Sequence, residues 1–165
     1  MVIAANRLLQ FILIMLVFFL PAFSQDNPAV LKKLSQKADV ILIGKVVKKE
    51  SAWNTSKSRI FTKTTIQVEE YLKGKDNGNT LEVIYPGGEI DGVGEIYTHM
   101  PKFENDEEAL LFLQKDKKSK AYEVLNGEVG KIKIQKDKKN NEKVPASNLQ
   151  IQSVKKQIKS YIKPE

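Results

Sequence analysis

Cysteine is absent from all 165 residues, and histidine and tryptophan occur once each, as His99 and Trp53. Without a thiol there is no disulfide framework, no thiolate nucleophile or metal site, and no cysteine to lipidate beside a secretory cut. A single imidazole would leave zinc to three or more carboxylates, a poor donor set for that ion. Any serine triad would have to recruit His99, and no serine sits in a Gly-x-Ser-x-Gly elbow. The glycines Gly87, Gly88, Gly92 and Gly94 lack the Gly-Lys-Ser/Thr ending and following helix of a phosphate loop, so a tightly turned β connection is expected there. Carboxylates cluster at Glu89, Asp91 and Glu95 and at Glu104, Asp106, Glu107 and Glu108, in polar surroundings that predict no separation of pKa values. The second cluster lacks the spacing of a dedicated calcium loop. The expectation is a chain with no catalytic residue, no metal site and no cofactor.

A long hydrophobic run is missing too. The apolar stretch Phe11–Leu20 is shorter than the ~20 residues of a spanning helix. Arg7 before it and Pro21-Ala22-Phe23-Ser24 after it read as a secretory signal over residues 1–24, cut near Ser24, leaving Gln25 first. The expected location is secreted or periplasmic, and a cysteine-free secreted chain suggests a bacterial source. A retained membrane anchor is the alternative.

What is abundant is lysine. The formal charge is +7, from 27 basic and 20 acidic residues, and the excess is spread in short runs: Lys32-Lys33, Lys48-Lys49, Lys115–Lys120, Lys131–Lys143 and Lys155-Lys156. Nucleic-acid grooves favour arginine with interleaved exposed aromatics, so no specific nucleic-acid partner is expected. A solvated face or weak attraction to anionic polymers or lipid headgroups remains.

Alternation dominates the middle of the chain. Ile60, Thr62, Thr64, Ile66 and Val68 fall on one face of a strand, predicted to point inward, with Phe61, Lys63, Thr65, Gln67 and Glu69 on the other. Val40, Ile41, Leu42 and Ile43 are apolar on both faces, as in a central strand. Glu50–Ser58 reads as a polar loop whose Trp53 either stacks on a ligand or packs over the barrel's open end. Asn54-Thr55-Ser56 has the form of a glycosylation acceptor, a chance match in a bacterial chain. Further strands are predicted at Leu81–Tyr85, Glu95–Met100, Tyr122–Leu125 and Gly130–Gln135. Glu107–Gln114 is read as strand despite its helix-favouring leucines, and turns are expected at Lys75–Asn79, Lys115–Ala121 and Asn126-Gly127.

Two helices flank this β region. Ala29–Lys37 puts Val30, Leu31 and Leu34 on one face after Pro28, with Asp26 or Asn27 to cap, and is expected to close one end of the barrel. After a polar linker at 137–146, residues 147–163 carry Ile151, Val154, Ile158, Tyr161 and Ile162 in one stripe opposite a lysine-rich face. Packing on the barrel and lying on a membrane are both open to such a helix. The predicted fold class is mainly β: a small OB-like Greek-key barrel over 25–136, with a short N-terminal helix and a C-terminal amphipathic helix.

At Ala38-Asp39-Val40, Gly44, Val46, Val68, Leu72-Lys73-Gly74 and Ile84-Tyr85 the chain resembles the netrin-like domain of tissue inhibitors of metalloproteinases. With Trp53, Pro86-Gly87-Gly88, Gly92, Pro101, Phe103, Leu111-Phe112-Leu113 and Gly130-Lys131 it more closely resembles uncharacterised bacterial secreted proteins, over about Ala38–Ile134. The resemblance implies an OB-fold, a five-stranded Greek-key barrel with added helices. In the inhibitors an N-terminal cysteine chelates the protease zinc; this chain has no cysteine, so that mechanism is not implied, whereas partner binding by the barrel face is. The resulting expectation is a non-catalytic binding module for another secreted or envelope protein, with Trp53, Phe61, Tyr85, His99 and Phe103 as candidate rim residues. The alternatives are an envelope-surface structural protein docking on lipid or anionic glycan through its lysine-rich helix and face, and a hydrolase using the loop carboxylates.

Overall fold

A computed structural model describes residues 27–74, 78–117, 121–136, 143–145 and 151–162. The segment read as a secretory signal, the first three residues of the Lys75–Asn79 turn and part of the Lys115–Ala121 turn lie outside the described residues. The elements are helix α1 (Pro28–Lys37), strands β1 (Val40–Trp53), β2 (Ile60–Lys73), β3 (Thr80–Pro86), β4 (Gly88–Ile90), β5 (Val93–Glu95), β6 (Glu108–Lys115), β7 (Tyr122–Val124), β8 (Lys131–Lys136) and β9 (Lys143–Pro145), and helix α2 (Ile151–Ile162).

Five strands close a barrel. β1 pairs antiparallel with β2 on one edge and β6 on the other, β2 with β3 and β6 with β7 are also antiparallel, and a parallel bridge between Val83 and Tyr122 joins β3 to β7. This is the mainly β, OB-like barrel expected, with two added helices. Its long first strand must bend to pair on both edges. Register shifts at Ile41/Leu42, Ile43/Gly44 and Val46/Lys48 supply the bend, and the last of these leaves Val47 about half exposed. Gly44 lies opposite both Val68 and Ala109, and a Cβ there would stand 2.6 Å from the Gln67 carbonyl oxygen and the Ile66 Cγ2. Only glycine lets the strands approach so closely.

The two faces of β1 feed two separate cores. Val40, Leu42 and Val46 point into the barrel with Ile66, Leu81, Val83, Leu111, Leu113, Tyr122 and Val124. Ile41 and Ile43 point outward and pack with Leu110, Phe112 and Ile134 against Leu34 and Ala38 of the α1 segment and Ile151, Val154 and Ile158 of α2. The unbroken Val40–Ile43 run is therefore buried on both sides. Ile60, Thr62, Thr64 and Ile66 of β2 are buried, as the alternation predicts.

Several expectations are corrected. α1 does not stopper the barrel; it joins α2 in a layer over the outer face of β1 and β6, because Leu34 and Ala38 find their apolar partners there. Asn27 caps α1, its Oδ1 accepting from the Ala29 N–H at 3.0 Å, with Pro28 in the first turn. The first part of the predicted polar loop Glu50–Ser58, Glu50–Trp53, is the end of β1, paired with Ile60–Lys63 of β2 and tied by a 2.9 Å hydrogen bond between the Ser51 and Thr62 hydroxyls. The predicted linker at 137–146 contains β9, antiparallel to β8; the rest of that segment lies outside the described residues. The strands predicted at Tyr122–Leu125 and Gly130–Gln135 are present as β7 and β8; β7 faces Leu113–Lys115 and β8 faces Glu108–Leu111, with a 3₁₀ turn at Gly127–Gly130 between them. The strand predicted at Glu95–Met100 stops at Glu95, because Val93–Glu95 already pairs with β4 in a short hairpin.

Candidate functional site

The end of the barrel where β1 passes to β2 is built from side chains that serve the backbone. Asn54 Oδ1 accepts from the N–H groups of Ser58, at 2.8 Å, and Arg59, at 3.1 Å, closing the turn. The β4–β5 hairpin lies beside this turn and is fixed at its base. Glu95 Oε2 accepts from the Ile60 N–H at 3.0 Å and from the Tyr97 hydroxyl at 3.0 Å, while the Gly87 N–H donates to the Ile60 carbonyl at 2.8 Å. The hydrogen bond to Glu95 holds the Tyr97 phenol above its ordinary pKa. The Thr62 hydroxyl donates to the Gly87 carbonyl at 2.7 Å. Gly88, at φ 137°, sits where any Cβ would run into the Thr62 and Ser51 hydroxyls, so the hairpin base needs glycine there.

Apolar side chains project from this anchored end. Ile96 is 83% exposed, Val93 51% and Trp53 37%. Single exposed apolar residues are ordinary on a protein surface. Here Val93 lies on the hairpin, Ile96 directly follows it and Trp53 ends β1, and these backbones are tied through Ile60 and Glu95. Phe61 stands beside them on the outer face of β2, half-buried, opposite Ala52 and Pro86.

The five predicted rim residues do not form one surface. Trp53 and Phe61 lie at the hairpin end. Phe103 is corrected outright: at 3% exposure it belongs to the barrel core. Tyr85 is half-buried against it, the two ring centroids 5.5 Å apart. Burial pushes the Tyr85 phenol above its ordinary pKa, partly opposed by the polar Thr64 and Thr62 hydroxyls nearby. His99 is exposed at φ 65°, and its carbonyl accepts from the Glu128 N–H at 2.9 Å, which places it by the 3₁₀ turn.

Phe103 is held by charge. Lys131 Nζ lies 4.8 Å from its ring centroid and also donates to the Lys102 carbonyl, while Lys49 Nζ donates to the Phe103 carbonyl at 2.6 Å. The buried Glu107 carboxylate receives Lys131 at 2.8 Å and accepts from the Glu104 N–H at 2.9 Å. Glu104 pairs with Lys133 at 2.7 Å, a hydrogen bond that holds the Glu104 carboxyl below its ordinary pKa and Lys133 above. Asp106 pairs with Lys45 at 2.7 Å and raises the pKa of that lysine. The second carboxylate cluster thus clamps the 101–107 segment over the barrel. Glu89 and Asp91 are exposed on the β4–β5 hairpin, apart from that cluster. Among the described residues, no group of three or more His, Asp or Glu side chains could hold a metal ion.

Sequence reasoning missed Val93 and Ile96. Their signal was present, since two apolar residues in the polar, glycine-rich run Gly92–Tyr97 have no alternating partners to bury them. The fold and this end define a small OB-like barrel with a helical layer on one flank and an anchored hairpin beside which apolar side chains are exposed. Compared with protein-family models and with curated proteins, the chain finds no match in either.

Proposed function

We propose that the chain is a secreted or periplasmic, non-catalytic binding module that takes a protein partner on the β4–β5 hairpin end. One observation carries this reading: Ile96, Val93 and Trp53 are exposed on backbone that Glu95 and Gly87 hold in place. Preorganised apolar anchors lose little conformational entropy on docking, and a few such side chains supply most of the energy of a protein interface. The likeness to netrin-like domains supports partner binding by a barrel face. Zinc chelation has no part in the proposal, since there is no cysteine.

The test is capture from the envelope and culture medium of the source cells, comparing the natural chain with a Val93→Glu/Ile96→Glu variant. A discrete protein retained by the natural chain and lost by the variant is expected. Identical retention by both, or retention by neither, overturns the reading. Amino-terminal sequencing of the exported chain is expected to begin at Gln25; an intact Met1 would remove the secretory part.

A further inference from the structure

On the barrel, Lys45, Lys48, Lys63, Lys131 and Lys133 each meet a carboxylate, at 2.7 to 3.0 Å. Lys49 and Lys73 donate to backbone carbonyls instead, and Lys57, Lys102 and Lys115 are exposed and meet no acid among the described residues. The helical layer concentrates cations without acids. α1 and α2 together carry six lysines, Lys32, Lys33, Lys37, Lys155, Lys156 and Lys159, and no aspartate or glutamate. Only Lys155 meets an acid among the described residues, pairing with Glu70 of β2 at 2.5 Å. The other five are exposed. Nothing in helix formation requires this bias, since carboxylates in a first turn and opposite-charge pairs along a helix both stabilise it.

The surface beside α2 is also concave. An open groove of about 480 Å³ is lined by Glu70, Gln152, Lys155, Lys156, Lys159 and Ser160. Gln152, Lys156 and Ser160 follow one another at spacings of four, with Lys155 and Lys159 beside them, so the lining runs about 12 Å along the helix axis. Glu70 is tied to Lys155, and Lys156 and Lys159 remain facing solvent.

We propose that this groove and the surrounding helical layer bind a linear anionic glycan, one bearing carboxylate or sulfate groups along its length. A groove with cations along one wall, flanked by the Gln152 amide and the Ser160 hydroxyl, fits a chain that offers both anions and hydroxyls. A bilayer fits it less well. The apolar stripe of α2 is consumed in the core, where Ile151, Val154 and Ile158 are buried, so the helix has no apolar face to insert. Lysine, a flexible point charge, suits anions of irregular spacing better than base edges, which call for planar forks and stacking rings. This face is independent of the hairpin end.

The experiment is gel retardation of the exported chain by polygalacturonate and by dextran sulfate, with neutral dextran as control and with pelleting on vesicles of phosphatidylglycerol and phosphatidylcholine. Two charge-matched variants are compared, Lys156→Gln/Lys159→Gln in the groove and Lys48→Gln/Lys63→Gln on the barrel. All four positions are exposed or half-exposed and outside both cores, and unchanged circular-dichroism melting of each variant verifies the fold. At an ionic strength of about 0.05 M, retention by at least one polyanion is expected, weakened roughly three- to tenfold in the groove variant and less than about twofold in the barrel variant. Equal weakening of both variants would mean a response to net charge alone and overturns the proposal. Lack of retention by either polyanion overturns it, as does vesicle binding that depends on Lys156 and Lys159 without polyanion retention.

Discussion

At the scale of single residues, the most consequential group is the Glu107–Lys131 pair beneath Phe103, with side chains only 2% and 11% exposed. Removing one member of a buried pair costs about 3–5 kcal/mol, chiefly because the other is left charged and without its counter-ion. Lys131→Met is therefore expected to lower the free energy of unfolding by that amount in denaturant titrations. Lys131→Met/Glu107→Gln should be more stable than Lys131→Met, because the amide keeps an acceptor for the Glu104 N–H and carries no charge; an additive loss would contradict the account. Tyr85, above the same segment, makes a pH prediction. Its folded pKa lies above the ordinary 10.0 because burial disfavours the phenolate. The stability it contributes is therefore whole below about pH 10 and is lost as pH rises through the folded value. Ultraviolet titration should show late-ionising tyrosine, reduced in Tyr85→Phe and reduced further when Tyr97→Phe is added, whose phenol is raised by Glu95.

At the scale of elements, the helices are part of the barrel's fold rather than appendages. Ile158 is fully buried, and α2 covers outward-facing Ile41, Ile43 and Phe112 together with α1. Ile158→Ala is expected to cost about 2–5 kcal/mol, and truncation after Pro145 should abolish the cooperative thermal transition and expose dye-binding apolar surface. A truncated chain that still melts sharply would show that the barrel is self-sufficient. Period-two alternation made β2 and β3 legible in the sequence, and the doubly apolar Val40–Ile43 run marked the strand buried on both faces. The leucine-rich β6 was also readable as strand, and its burial on both sides explains the missing alternation. What was not legible depended on pairing across the chain. Ser51 and Ala52 look like loop residues until Thr62 and Phe61 stand opposite them, and Lys143–Pro145 looks like linker until β8 offers an edge. Phe103 reads as an exposed rim residue because its neighbours are polar; Lys49 and Lys131, distant in sequence, bring it inside together with nearby Glu107. The helical layer's missing carboxylates were written in the sequence, but their significance depends on α1 and α2 lying side by side in the fold.

At the scale of the whole molecule, the hairpin end and the helical layer are joined by β2. Its first residue, Ile60, hydrogen-bonds Glu95 of the hairpin, and ten residues on, Glu70 lines the α2 groove. At about 3.3 Å per residue the two points lie up to about 33 Å apart along the strand, beyond several Debye lengths at physiological salt. Sites so separated, with no shared side chain, should behave additively within about 0.3–0.5 kcal/mol, or roughly a twofold change in affinity. Val93→Glu/Ile96→Glu is thus expected to leave polyanion retardation within about twofold, and Lys156→Gln/Lys159→Gln to leave protein capture unchanged. The stronger consequence is that both ligands bind at once. Beads coated with polygalacturonate or dextran sulfate, whichever the chain binds, should retain the captured protein only when this chain is present; Val93→Glu/Ile96→Glu should abolish the bridge and Lys156→Gln/Lys159→Gln should weaken it in step with polyanion retention. If each ligand instead displaces the other, the two surfaces overlap and the separation along β2 does not describe how the protein is used.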